Sequence, residues 1–178
     1  MNTFAVTAMG RSGTKFLSQT LSKAEGWTVK HEPHPGFQPT SEVKLRFSGV
    51  INYGEVNSYL RFQLMSLEVD RKAVIIRHPI QIFQSMYNRG KPKLDHLEES
   101  LYALDNLISQ GVSVISFSRM VDDQNYLRSV AKYLGVELPV RLDLKPINTS
   151  SQKAMPQELL SAAIKKLSWF TKLYGDLL

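Results

Sequence analysis

The chain contains no cysteine, which excludes disulfides, thiolate metal sites and a cysteine nucleophile and removes the usual marker of redox compartment. No apolar run approaches the roughly 20 residues of a membrane span. No basic and then apolar leader opens the chain either, so a soluble, cytoplasmic protein with no membrane span is expected. The four histidines, His31, His34, His78 and His96, show no paired ligand spacing on one helix, and no metal site is expected. Internal repeats, linkers and low-complexity tracts are lacking too. Acidic residues are missing from two segments. Between Arg71 and Leu94 stand Arg71, Lys72, Arg77, Arg89, Lys91 and Lys93 without an Asp or Glu, and residues 1–24 carry only Arg11, Lys15 and Lys23. The net charge of +6 is therefore concentrated in two stretches, against a mildly acidic remainder. Charge placed in this way points to an anionic partner.

With 178 residues, 43% of them hydrophobic and 21% charged, the chain suits a single domain with a real core. Residues 3–9 (TFAVTAM) read as a strand ended by Gly10, and Phe16, Leu17 and Leu21 share the face of a following helix. Gly26 closes that helix. WTVKH (27–31) reads as a second strand, entering a loop with Pro33, Pro35, Gly36 and Pro39. Residues 43–53 carry no decisive pattern. Tyr59 to Val69 reads as a helix capped by Asn57 or Ser58. KAVIIR (72–77) is a buried strand, with a helix from Pro79 to about Asn88. An amphipathic helix over 94–110, a strand over 112–117, a helix over 124–134 and a last helix from near Pro156 almost to Gly175 complete the pattern. Alternation of strands and helices predicts an α/β fold: a central parallel sheet of about four or five strands, helices on both faces, ligands at the C-terminal strand ends.

GRSGTK, Gly10 to Lys15, falls between the first strand and the first helix, where backbone N–H groups and the helix N-terminus can hold an anion. Gly10 and Gly13 allow close approach of the main chain to phosphate. Ser12 and Thr14 offer hydroxyls, and Arg11 and Lys15 offer charge. The spacing is not that of the nucleotide-triphosphatase loop, which needs four residues between its glycines and then Gly-Lys-Ser/Thr.

Strand, basic residue, Ser, Gly, Thr and helix together resemble the loop by which sulfotransferases hold the 5′-phosphosulfate of 3′-phosphoadenosine 5′-phosphosulfate (PAPS), with Lys15 in place of the family's second Ser/Thr. RHPIQIFQS resembles the family's second signature, an Arg ending a central strand and a Ser eight residues later, here Arg77 and Ser85. The resemblance implies that these two hold the 3′-phosphate; a guanidinium fork and a hydroxyl suit that group. His78 stands where the family usually has Asp or Asn. Residues 114–139 are similar to the family's strand, acidic turn, helix and terminal Leu-Gly. The similarity thus runs from about residue 3 to 139. No copy of the family's Gly-rich basic closing segment is present, although Asn148, Ser150 and Lys153 offer partial substitutes. The resemblance implies a P-loop-like sulfotransferase fold.

Sulfuryl transfer to a hydroxyl needs a base, and leaving-group charge must be stabilised, a task for Arg11 and Lys15. KHEPH supplies Glu32 as first candidate base, with His31 and His34 next; Glu-Pro here resembles the carbohydrate sulfotransferases. Glu55, just before the helix over 59–69, is the next candidate base, and either binds the acceptor or complements the helix N-terminus. Trp27, Phe37, Tyr53 and Tyr59 either line an acceptor pocket or belong to the core. The expectation is a PAPS-dependent sulfotransferase that releases 3′-phosphoadenosine 5′-phosphate (PAP), uses no metal and acts on a hydroxyl acceptor, with no nucleic acid as partner. Two alternatives stay open: a P-loop nucleotide or small-molecule kinase, although neither KAVIIR nor VSVISF is followed by an Asp to hold magnesium, and a non-catalytic nucleotide- or nucleic-acid-binding protein.

Overall fold

The first strand, β1 (Thr3–Ala8), has all six residues buried, as a continuous apolar run requires when both sheet faces are covered. The computed structural model describes residues 2–34, 36–90, 92–142 and 153–178. Four further strands, β2 (Thr28–His31), β3 (Tyr53–Val56), β4 (Arg71–Ile76) and β5 (Ser113–Ser116), complete one sheet. The order is β2-β3-β1-β4-β5 and every pairing is parallel. The architecture is α/β, one five-stranded parallel sheet flanked by helices. Among the described residues no helix is long and apolar enough to cross a membrane.

The period-two alternation of the strands sorts the core into two layers. Phe4, Val6 and Ala8 of β1 and Ala73 and Ile75 of β4 face helices α1 (Thr14–Leu21), α5 (Phe117–Asp122) and α6 (Gln124–Tyr133), through Leu17, Leu21, Met120 and Leu127. Ala5, Val74 and Ile76 face the opposite layer, built from α2 (Thr40–Phe47), α3 (Pro79–Asn88), α4 (Leu94–Ser109) and α7 (Gln157–Tyr174). Of the predicted stripe on α4, Leu97, Leu101 and Leu104 are buried, and in the last turn Leu107 is buried while Ile108, partly buried, packs against the same core. Pro79 occupies the first turn of α3, with the His78 side chain accepting from the Ile80 N–H at 3.3 Å.

Three elements differ from the sequence reading. Residues 43–53, left without assignment, contain the end of α2 and the start of β3, the strand beside β1. β3 carries Gly54 and Glu55, both poor strand formers. Gly54 is required because the Phe4 ring fills its place: an added Cβ would lie 2.1 Å from Cζ of Phe4. The helix expected over Tyr59 to Val69 is instead two 3-10 turns, Ser58–Phe62 and Leu64–Ser66. Asn57 caps the first, accepting from the Tyr59 N–H at 3.0 Å. Gln63 then leaves helical backbone at φ −133, yet Leu60, Leu64 and Leu67 are all buried, so the two turns satisfy the same apolar spacing as a helix. Finally, α5 begins directly at the end of β5 with Ser116 as its cap, before the acidic turn at Asp122 and Asp123.

Candidate functional site

The chain lays β2 and β3 on one side of β1 and then β4 and β5 on the other. Strand order therefore reverses between β1 and β4, and open α/β sheets bind ligands outside the C-terminal strand ends at such a point. The loop after β1 and the residues after β4 flank this crevice, and both belong to the basic segments.

The first loop turns through left-handed backbone at Arg11 (φ 76) and Gly13 (φ 83). Gly13 admits no side chain, since an added Cβ would lie 2.7 Å from the Phe117 ring. Gly13 caps α1 without any side-chain bond to the helix, and Ser12 Oγ is fully buried with no hydrogen-bond partner. A buried hydroxyl and a free helix N-terminus in one loop suit an anion that accepts from both.

Arg77 follows β4 and fixes this loop from the other side. Its Nη1 donates to the carbonyl of Arg11 at 2.7 Å, its Nε donates to Gln81 Oε1 at 3.1 Å, and its guanidinium lies 4.4 Å from the centre of the Phe117 ring. Arg11 in turn donates from Nε to Ser85 Oγ at 3.0 Å. Residues separated by 66 and 74 positions thus meet in one cluster. None of these arginines pairs with a carboxylate among the described residues. Burial, then the charge of Arg89, lowers the pKa of Arg11; burial, then the charge of Arg11, lowers that of Arg77. Among the described residues the cluster has no counter-ion, and its chemistry suits an anionic group.

The end of β2 closes the cleft on its other side. Thr14 Oγ1 and His31 Nε2 share a hydrogen bond of 3.1 Å, joining the first turn of α1 to β2. Burial lowers the pKa of His31, with Glu32 opposing and Lys15 adding to the effect. Glu32 sits in left-handed backbone at φ 42, a conformation that non-glycine residues rarely adopt. Its Oε1 accepts from the Ser58 hydroxyl at 2.5 Å and the Ser58 N–H at 3.4 Å. Gly10 is half-buried, while Lys15 and His34 are exposed at the margin.

Glu55 has a different setting. It is fully buried, and Arg46 grips it with Nε and Nη2, at 2.5 and 2.9 Å. Tyr53 Oη donates to the same carboxylate at 2.9 Å and Asn57 Nδ2 at 3.4 Å. These bonds tie β3 to α2 and steady the Asn57 cap, and they raise the pKa of Arg46. Trp27 packs on Phe4 and Tyr53 on Phe47, so both are core aromatics; Phe37 and Tyr59 meet each other at 5.8 Å outside it. Asn148, Ser150 and Lys91 lie outside the described residues. The backbone of Lys153 bonds to Asn88 and Gln84 of α3.

Sequence reasoning passed over four supporting residues: Gln81 and Phe117, which hold Arg77; Ser58, which holds Glu32; and Arg46, which occupies Glu55. Gln81 lies nearest in sequence to the residue it holds, in the first turn of the helix that follows Arg77. A surface cavity of about 680 Å³ lined by Asp70, Arg71, Ser129, Lys132 and Tyr133 lies at the opposite, N-terminal edge of β4 and includes no predicted site residue. No protein-family model matches the chain, and no curated protein matches it either.

Proposed function

We propose that this protein is a sulfotransferase that moves a sulfuryl group from PAPS to a hydroxyl acceptor. The observation that carries the reading is the junction of Arg11, Arg77 and Ser85 over a phosphate-binding type of loop, with no carboxylate paired to it among the described residues. In this reading Ser12, Gly13 and Thr14 hold the 5′-phosphosulfate, and Arg77 and Ser85 hold the 3′-phosphate. The new bond joins the acceptor oxygen to sulfur as the bond from sulfur to the 5′-phosphate oxygen breaks, leaving PAP. Glu32 takes the hydroxyl proton; Ser58 orients it through Oε1. Arg11 and Lys15 neutralise the negative charge that grows on the departing phosphate. Glu55, with four donors already on its carboxylate, acts as a structural anchor.

Thermal stabilisation tests the reading against its rivals. At about 100 times the dissociation constant a ligand adds roughly 2.7 kcal/mol of stability. PAP is expected to stabilise the protein where ATP with magnesium and a short oligonucleotide do not. Preference for ATP would assign a kinase instead, and preference for the oligonucleotide a nucleic-acid-binding role.

A further inference from the structure

Arg61 is 4% exposed, yet no carboxylate pairs with it among the described residues. Its Nη1 donates to the Ser58 carbonyl at 2.6 Å, and its Nε is buried with no hydrogen-bond partner. Two aromatic rings flank the guanidinium, Phe62 at 4.8 Å and Phe37 at 5.5 Å. Taking a cation out of water without a counter-ion is costly, and aromatic faces return only part of that cost. Burial dominates here and lowers the pKa of Arg61, with Glu99, Tyr59 and Glu32 opposing through their charges.

Position makes the unpaired cation informative. Ser58 accepts the Arg61 bond through its carbonyl and holds Glu32 through its hydroxyl and N–H. One short turn therefore anchors both the base of the proposed reaction and a cation without an anion. Phe37, 56% exposed on the loop between β2 and α2, lies over the guanidinium. Phe37 and Phe62, both exposed, with Tyr59 5.8 Å from Phe37, form the aromatic cover of this buried guanidinium.

We infer that Arg61, Phe37, Tyr59 and Phe62 form the acceptor subsite, and that the acceptor is a hydroxyl-bearing ring compound with a carboxylate, either a uronic acid sugar or an aromatic acid. This inference rests on the sulfotransferase reading. The carboxylate pairs with the free edge of the Arg61 guanidinium, whose planar fork matches it, and the ring lies against the aromatic side chains. A neutral analogue leaves the buried cation unpaired, which is the arrangement that discriminates most strongly.

Calorimetric titration of the full chain, with and without PAP, tests this with two matched pairs: methyl glucuronide against methyl glucoside, and 4-hydroxybenzoate against 4-hydroxybenzamide. Within at least one pair the acid is expected to bind about tenfold to hundredfold more tightly, the range of charge-assisted hydrogen bonds. The pair that shows the effect identifies the ring. Arg61→Gln is expected to erase the preference and leave PAP affinity in place, while Arg61→Lys keeps part of it. Should Arg61→Gln fail to fold, the Nε–H resonance of Arg61 in the unmodified protein, assigned by its loss in Arg61→Lys, is expected to shift with the acid and not with its neutral partner. The inference is overturned by equal binding within both pairs, by a preference that survives Arg61→Gln, or by a resonance indifferent to both acids. Failure to bind PAP would instead overturn the sulfotransferase reading, and the two failures are read separately in one titration.

Discussion

Arg77→Ala removes three contacts at once, and they do not all serve the same ligand group. The bond to the Arg11 carbonyl, at 2.7 Å, holds the left-handed loop that is proposed to receive the 5′ end of the nucleotide. The remaining Arg77 donors are those proposed to meet the 3′-phosphate. A neutral hydrogen bond contributes about 0.5–1.5 kcal/mol and one to a charged group about 1.5–3 kcal/mol. PAP is therefore expected to lose about 2–4.5 kcal/mol of binding in Arg77→Ala, both shares together. Adenosine 5′-monophosphate, with no 3′-phosphate, is expected to lose only the loop share of about 0.5–1.5 kcal/mol. Titration calorimetry with the two nucleotides on the two proteins gives all four numbers. Equal losses for both ligands would refute a 3′-phosphate role and leave Arg77 as a support for the loop. Unchanged binding of both would refute the site.

Four other perturbations address separate parts of the molecule. Glu32→Gln is expected to abolish sulfuryl transfer and leave PAP binding unaltered, measured by product formation and by titration; retained turnover would assign proton removal to His31 or His34. Gly54→Ala forces a methyl group against three buried atoms of the Phe4 ring at 2.1–2.5 Å. A loss of about 3 kcal/mol, the upper end of overpacking, is expected in urea unfolding. Arg46→Leu strands the buried Glu55 carboxylate, with an expected loss of about 3–5 kcal/mol, and the double change with Glu55→Met restores much of it; no recovery would contradict a structural pair. Burial lowers the pKa of His31, His78 and His96 from 6.5, so below that pH the unfolded chain binds protons before the folded one. Stability is then expected to fall as the pH drops from about 6.5 through the folded values; a higher urea midpoint at about pH 5.5 than at about pH 7.5 would contradict this.

Four of the five strands were legible, β2 and β5 by their position between helices and β1 and β4 also by their apolar runs. In β1 the apolar residues Phe4, Ala5, Val6 and Ala8 are interrupted only by threonine, and in β4 Ala73 to Ile76 run unbroken and buried after Arg71 and Lys72. β3 was hidden because its interior is settled by partners far along the chain: Gly54 makes room for Phe4, and Glu55 is tolerated only because Arg46 reaches it. The turns at Ser58–Phe62 and Leu64–Ser66 were misread for a related reason, since apolar spacing records which side is buried and not how tightly the backbone winds. For the candidate site, the residues proposed to bear chemistry were legible as three local motifs, GRSGTK, RHPIQIFQS and KHEPH. The bonds joining Arg11 to Ser85 and Arg77 to the Arg11 carbonyl were not, because they depend on β1 and β4 being neighbours.

β2 is held to the sheet along one side only, by β3, and Thr28 and Lys30 on it are exposed. Its attachment is the part of the sheet expected to open first, because local stability follows the number of buried contacts a segment makes. Since His31 and Glu32 ride on this strand and Arg11 and Arg77 follow β1 and β4, the two halves of the cleft differ in permanence. Amide protons of β2 are expected to exchange while those of β1 and β4 stay protected, so that the chain can lose and regain the proposed proton acceptor many times without unfolding the proposed cradle for the nucleotide.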